Sequence, residues 1–160
     1  LGDFDSSPMP SELLYEVKRY KSDKEETDMQ LAMLEGFERG YNNFIILGGT
    51  GGRLDHTFAN IELLAYAEKH GRFAALVDET NKAFLVSNKT VDLKRESGKY
   101  VSLFAYGGEA TGVTLEGFKY SIKNETFSPV NPVGVSNEMI DIVGRITVEK
   151  GSLLVIISKD

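Results

Sequence analysis

The sequence predicts an α/β part followed by an all-β part, and three observations carry that reading. Up to about residue 71, apolar residues at helical spacing alternate with short unbroken apolar runs. One such run leads through a glycine cluster into a helical stretch and then a second run, the grammar of a βαβ unit. Beyond residue 72 the helical period stops, and short β-rich runs punctuated by Gly, Asn, Pro and Asp follow, as in an antiparallel sandwich. The change falls within residues 72–88, which divides the chain into segments 1–80 and 81–160.

The elements follow in order. Leu1-Gly2-Asp3-Phe4-Asp5 reads as the end of a buried strand entering a site. It is not preceded by an initiator Met, and an N-terminal segment is expected to be missing. Ser11 is placed to cap a helix through residues 12–17. Thr27 caps a second helix, in which Met29, Ala32, Met33, Gly36 and Phe37 recur at helical spacing and Gly40 marks the end. Asn43-Phe44-Ile45-Ile46-Leu47 predicts a strand buried on both faces. Residues 48–52 then turn the chain into a helix over 55–70, and Phe73 opens the next strand, over 73–77. Further strands are predicted at 83–86, 100–106, 112–115, 118–122, 142–148 and 153–158.

Composition narrows the function. The net charge of −6 argues against a nucleic-acid binder, which needs a basic face. A single small polyphosphate remains admissible, because metal ions and a few local cations can neutralise it. No stretch approaches the roughly 20 apolar residues of a membrane span. The chain has no cysteine, so thiolate metal sites and disulfides are excluded, which suits a cytoplasmic location.

Four segments carry residues with chemistry. In Gly2-Asp3-Phe4-Asp5-Ser6, extended backbone aims Asp3 and Asp5 to one side, where two carboxylates suit a hard cation such as Mg²⁺; a simple turn is the alternative. In Lys24-Glu25-Glu26-Thr27-Asp28, Asp28 either complements the helix dipole or adds a third acidic ligand. Residues 48–56 combine Gly51 and Gly52, which let a backbone approach phosphate, with Arg53 and Asp55. Arg53 can fork onto phosphate oxygens and Asp55 can hold a metal, or Asp55 caps the helix and Arg53 is merely exposed. The glycines match neither the Walker loop nor the dinucleotide fingerprint, since no Lys-Ser or Lys-Thr pair follows and Leu54 occupies the third glycine position. In Gly134-Val135-Ser136-Asn137-Glu138, Ser136 and Asn137 either face a heteroaromatic ligand or form a turn.

Taken together, these segments resemble the thiamine pyrophosphokinase family in order and spacing. The resemblance rests on Gly2-Asp3-Phe4-Asp5-Ser6, Asp23-Lys24-Glu25-Glu26-Thr27-Asp28 with Gln30-Leu31-Ala32, and Gly51-Gly52-Arg53-Leu54-Asp55-His56-Thr57 with Ala59-Asn60. It continues through Gly112-Val113-Thr114-Leu115-Glu116-Gly117, Tyr120, Gly134-Val135-Ser136-Asn137-Glu138 and Gly151-Ser152-Leu153-Leu154-Val155, covering essentially the whole chain. It implies a Rossmann-like α/β catalytic domain for ATP and metal, joined to a C-terminal antiparallel β-sandwich for thiamine. It also implies homodimers with thiamine sites between subunits. By motif, Asp3, Asp5 and Asp28 form an acidic Mg²⁺ cluster, Arg53 and Asp55 face polyphosphate and metal, and Ser136 and Asn137 face thiamine. Two departures stand out: Glu25 replaces the family's usual Asp, and the family's opening strand and glycine turn are absent. The implied reaction is in-line attack by the thiamine hydroxyl on the β-phosphorus of ATP, releasing AMP. Rival readings are another Mg²⁺-dependent nucleotide phosphohydrolase, with water as acceptor, and a non-catalytic thiamine or nucleotide binding module.

Overall fold

The computed structural model describes residue 18 and residues 25–159, and its contacts fall into two compact units, Leu1–Phe44 and Ile45–Asp160. The strand end at Asp3 and Asp5 and the helix capped by Ser11 lie outside the described residues.

In the first unit, α1 (Asp28–Glu38) begins where the sequence places it. Thr27 is extended, and its hydroxyl accepts the N–H of Gln30, which satisfies one of the unpaired donors of the first turn. Leu31, Met33 and Gly36 are its buried residues, and the Phe37 and Phe44 rings meet edge to face at 5.2 Å. Gly40 adopts positive φ just past the helix, as a terminating glycine does.

β1 (Asn43–Leu47) runs out of this unit into the second, and leads through α2 (Leu54–Lys69) into β2 (Phe73–Val77), the connection that parallel neighbours require. There follow β3 (Asn81–Ser87), β4 (Thr90–Lys94), β5 (Lys99–Ala105), β6 (Ala110–Glu116), β7 (Ile122–Phe127), β8 (Gly134–Glu138), β9 (Val143–Thr147) and β10 (Ser152–Lys159). They build a six-stranded sheet in the order β1-β2-β3-β10-β5-β8 and a four-stranded sheet in the order β4-β9-β6-β7. The architecture is thus an α/β portion followed by antiparallel β structure.

Alternation along the strands explains how the two sheets meet. Phe84 and Val86 of β3, Val101 and Leu103 of β5, and Leu153, Val155 and Ile157 of β10 turn one way and join Val113, Leu115 and Ile146 of the other sheet in one buried cluster. The intervening Ala74, Leu76, Ala83 and Leu85 are buried as well, and α2 packs across β2 and β3 through Leu63, Leu64 and Ala67. The runs 74–76 and 83–86 are unbroken apolar sequence because both faces of those strands are covered. Each large side chain so buried contributes about 1.5–3 kcal/mol.

Three expectations need correction. The strand at 43–47 is not buried on both faces: it stands at one end of the strand order among the described residues, with Ile46 buried but Ile45 59% and Leu47 67% exposed. The strand placed at 118–122 instead occupies Ile122–Phe127, because Asn124 at φ 57° and register shifts against β6 let a polar stretch pair there. Finally, β4 and β8 are strands that the apolar pattern did not announce.

Candidate functional site

The glycine turn at 48–52 joins the carboxyl end of β1 to the start of α2, the side of an α/β sheet where ligands bind. Gly48 takes φ +68°, which reverses the chain without the penalty a side chain would incur. Gly49 is glycine for a different reason. A Cβ there would lie 2.6 Å from Leu76 Cδ1, 2.9 Å from Ile46 Cγ2 and 3.1 Å from Asn60 Nδ2. Buried Asn60, on α2, donates from Nδ2 to the Gly49 carbonyl at 2.8 Å. Thr50 donates its hydroxyl to Asp78 Oδ2 at 2.9 Å. Gly51 and Gly52, by contrast, face open space, with nothing within 4 Å of an added Cβ.

Arg53 is the N-cap of α2 and its own side chain makes no capping bond, while the first-turn N–H of His56 is taken by Asp55 Oδ1. Asp55 thus satisfies one first-turn donor, as the capping alternative had it, from within the helix rather than from the N-cap position. In addition, Arg53 Nε and Nη2 donate to Asp55 Oδ1 and Oδ2 at 3.2 and 2.6 Å, a forked pair on an open surface, the two side chains being 71% and 64% exposed. The Arg53 guanidinium, helped by the His56 N–H on Oδ1 at 2.9 Å, holds the Asp55 carboxyl down at about 2. Asp55 is consequently an anion, and Arg53 a cation, at any physiological pH.

Asp28 is the first residue of α1, next to the capping Thr27, and belongs to the other compact unit. Asp3 and Asp5 lie outside the described residues. Among the described residues, no group of three acidic or histidine side chains stands ready to hold a metal.

Ser136 and Asn137 sit together on β8, at the other end of the six-stranded sheet's strand order among the described residues, and do different things. Ser136 takes φ 57°, donates its N–H to Ser102 Oγ at 3.0 Å and leaves its own side chain exposed. Asn137 is only 6% exposed. Its Oδ1 accepts the N–H groups of Tyr120 and Glu138 at 3.1 and 2.9 Å, and its Nδ2 donates to the Tyr120 carbonyl at 2.9 Å. Exposed Tyr120, Val130, Val133 and Val135 give this part of the molecule an apolar surface.

The residues sequence reasoning passed over are Asn60 as a brace and Asp78 altogether. An Asp-x-Thr-Asn stretch directly after a buried strand is an Asx-turn signal, and that signal was readable. A cavity of about 310 Å³ lined by Leu64, Glu68, Arg72, Phe73 and Lys89 opens elsewhere, at the opposite end of α2 from Arg53.

Two family models match the chain: thiamin pyrophosphokinase, catalytic domain, over residues 1–75, and thiamin pyrophosphokinase, vitamin B1 binding domain, over residues 88–153. A thiamine pyrophosphokinase of Bacillus subtilis (strain 168) is 31% identical across 99% of this chain and 77% of its own length. The crystal structure of thiamine pyrophosphokinase from Bacillus subtilis superposes with a TM-score of 0.83 at 31% identity, over 86% of this chain and 65% of that one. A thiamin pyrophosphokinase family protein from Enterococcus faecalis gives a TM-score of 0.83 at 27% identity, over 99% of this chain and 78% of its own.

Proposed function

This chain belongs to the thiamine pyrophosphokinase family, and from that premise we propose that it transfers a pyrophosphoryl group from ATP to thiamine, giving thiamine pyrophosphate and AMP. The observation that carries the proposal is the Arg53–Asp55 pair at the open start of α2, behind a turn whose outer glycines leave room for a polyphosphate. Residues 1–80 hold the nucleotide and metal in this reading, and residues 81–160 hold thiamine.

The chemistry asks the protein for positioning and charge neutralisation rather than a covalent intermediate. Gly51 and Gly52 let the backbone come close to the phosphates. Arg53, already presenting two parallel N–H donors to a carboxylate, offers the same fork to a phosphate. Its move from Asp55 to the phosphate releases an ionised carboxylate into the site. Mg²⁺ fits the donor set: hard cations take oxygen ligands, and Asp3, Asp5 and Asp28 are the carboxylates that would hold it. When bound, it neutralises charge on the phosphate oxygens.

Thiamine binds beside Ser136 and Asn137. The exposed Ser136 side chain is available to ligand, whereas Asn137 acts mainly by fixing β8 to the Tyr120 segment. The apolar surface of Val130, Val133 and Val135 around β8 supports a homodimer that closes the thiamine site between subunits. Absence of cysteine accords with a cytoplasmic enzyme. Among the described residues no helix is long and apolar enough to cross a membrane.

The test is AMP release with thiamine, ATP and Mg²⁺ by Arg53→Ala and Asp5→Asn. Loss of one charge-stabilising contact costs about 10²-fold or more in turnover. Turnover near wild type in Arg53→Ala would remove the basis of the proposal.

A further inference from the structure

Asp78 follows the last residue of β2, as Gly48 follows the last residue of β1, and the two strands are neighbours in the sheet. A carboxylate at that height beside a glycine turn invites a ligand role. Its bonding excludes one. Oδ1 accepts the N–H groups of Thr80 and Asn81 at 2.8 and 2.7 Å, the Thr80 hydroxyl at 3.3 Å and Asn81 Nδ2 at 3.1 Å. Oδ2 accepts the Thr50 hydroxyl at 2.9 Å and Asn81 Nδ2 at 3.2 Å. A carboxylate has about four lone-pair sites, so none is left over for a metal ion or a substrate donor.

We propose that Asp78 is a positioning residue for the proposed reaction: it anchors the turn at 48–52 through Thr50, and so aims the Gly51 and Gly52 backbone at the polyphosphate. The inference rests on the reading of that turn as the nucleotide site. Four consecutive residues of the turn differ in a way that supports it. Gly49 is pinned through its carbonyl by Asn60, and Thr50 is pinned through its hydroxyl by Asp78. At Gly51 and Gly52, immediately beyond, an added Cβ would meet nothing within 4 Å. Two fixed anchors therefore set the direction in which the Gly51 and Gly52 peptide units leave the sheet. Asp78 itself is held rigidly by the β2–β3 turn it caps, and its carboxyl is lowered to about 2, chiefly by the Thr80 N–H with the Thr50 hydroxyl and Asn81 adding to it. The anchor stays an acceptor throughout the neutral range, with no dependence on pH near 7.

Replacing Asp78 would also dismantle the β2–β3 turn, so the informative variant is Thr50→Val, which keeps the shape of residue 50 and all the bonds of Asp78 to Thr80 and Asn81. Two measurements decide. In Thr50→Val, amide hydrogen exchange at Gly51 and Gly52 quickens about tenfold while exchange in β3 and β10 stays at its wild-type rate. The KM for ATP rises about tenfold, and Thr50→Ser, which restores the hydroxyl, returns most of the wild-type value. Unchanged exchange at Gly51 and Gly52 overturns the brace whatever the protein's activity. Quickened exchange with an unaltered KM for ATP overturns its role in positioning the nucleotide. A wild-type protein that makes no AMP from ATP and thiamine would instead refute the proposed function, and the exchange measurement would still judge the brace.

Discussion

Arg53 and Asp55 close a forked ion pair, with bonds of 3.2 and 2.6 Å, at the one point where the glycine turn becomes a helix. Two residues apart and largely exposed, they add little to the fold, because exposed pairs of this kind contribute marginally. Their position accounts for them better than stability does: an arginine fork held ready by a carboxylate can be handed to an incoming phosphate.

The pair sets a pH dependence. The Asp55 carboxyl, lowered to about 2 from an ordinary 3.8, lends its share of stability in full above 3.8 and loses it as the pH falls through about 2. Carbon-detected NMR titration will show Asp55 unprotonated down to pH 3 in the wild type. In Arg53→Ala its midpoint will move up toward the ordinary carboxylate value, and no change in midpoint would mean the pair does not form in solution.

The turn makes opposite predictions for adjacent glycines. Gly49→Ala drives a methyl against Leu76 and Ile46, so it costs about 1–3 kcal/mol of unfolding free energy and displaces the turn. Gly51→Ala meets open space without a positive φ, and its unfolding midpoint in urea stays at the wild-type value. Equal midpoints for the two variants would contradict the packing described at Gly49.

Neighbours on β8 separate in the same manner. Asn137→Ala leaves the Tyr120 N–H and carbonyl without their partner on the buried Asn137 side chain and lowers stability by about 1–3 kcal/mol. Ser136→Ala removes only an exposed hydroxyl and leaves the melting temperature in place, while the KM for thiamine rises about tenfold. Calorimetry and steady-state kinetics on the two variants check both halves of this contrast.

A last pair concerns the fold alone. Leu64, almost wholly buried where α2 meets the sheet, loses about 2–5 kcal/mol on conversion to Ala. Asp92 and Arg145 stand opposite each other in the β4–β9 register with bonds of 2.7 and 2.9 Å, but both are half exposed. Asp92→Asn therefore leaves the thermal midpoint nearly unchanged. A larger loss in Asp92→Asn than in Leu64→Ala would reverse this ordering.

The α/β half was legible because its signals are local. Thr27 and Gly40 bracket α1, and the bounds of β1 and β2 follow from unbroken apolar runs beside glycines. The β half was harder where pairing overrides composition. Thr90–Lys94 and Ile122–Phe127 are mostly polar and become strands through their neighbours' ladders, and Ser136 keeps a left-handed backbone inside a strand that reads as a turn. At the candidate site, Arg53 and Asp55 were visible as a motif two residues long. The Thr50–Asp78 bond was not, because it joins residues 28 apart through a sheet whose strand order no spacing discloses.

The most direct measurement is phosphorus NMR of the products formed from ATP, thiamine and Mg²⁺ by the purified chain. Attack on the β-phosphorus yields AMP and thiamine pyrophosphate in equal amounts, and none without thiamine. Accumulation of ADP, or of inorganic phosphate independent of thiamine, would contradict the account.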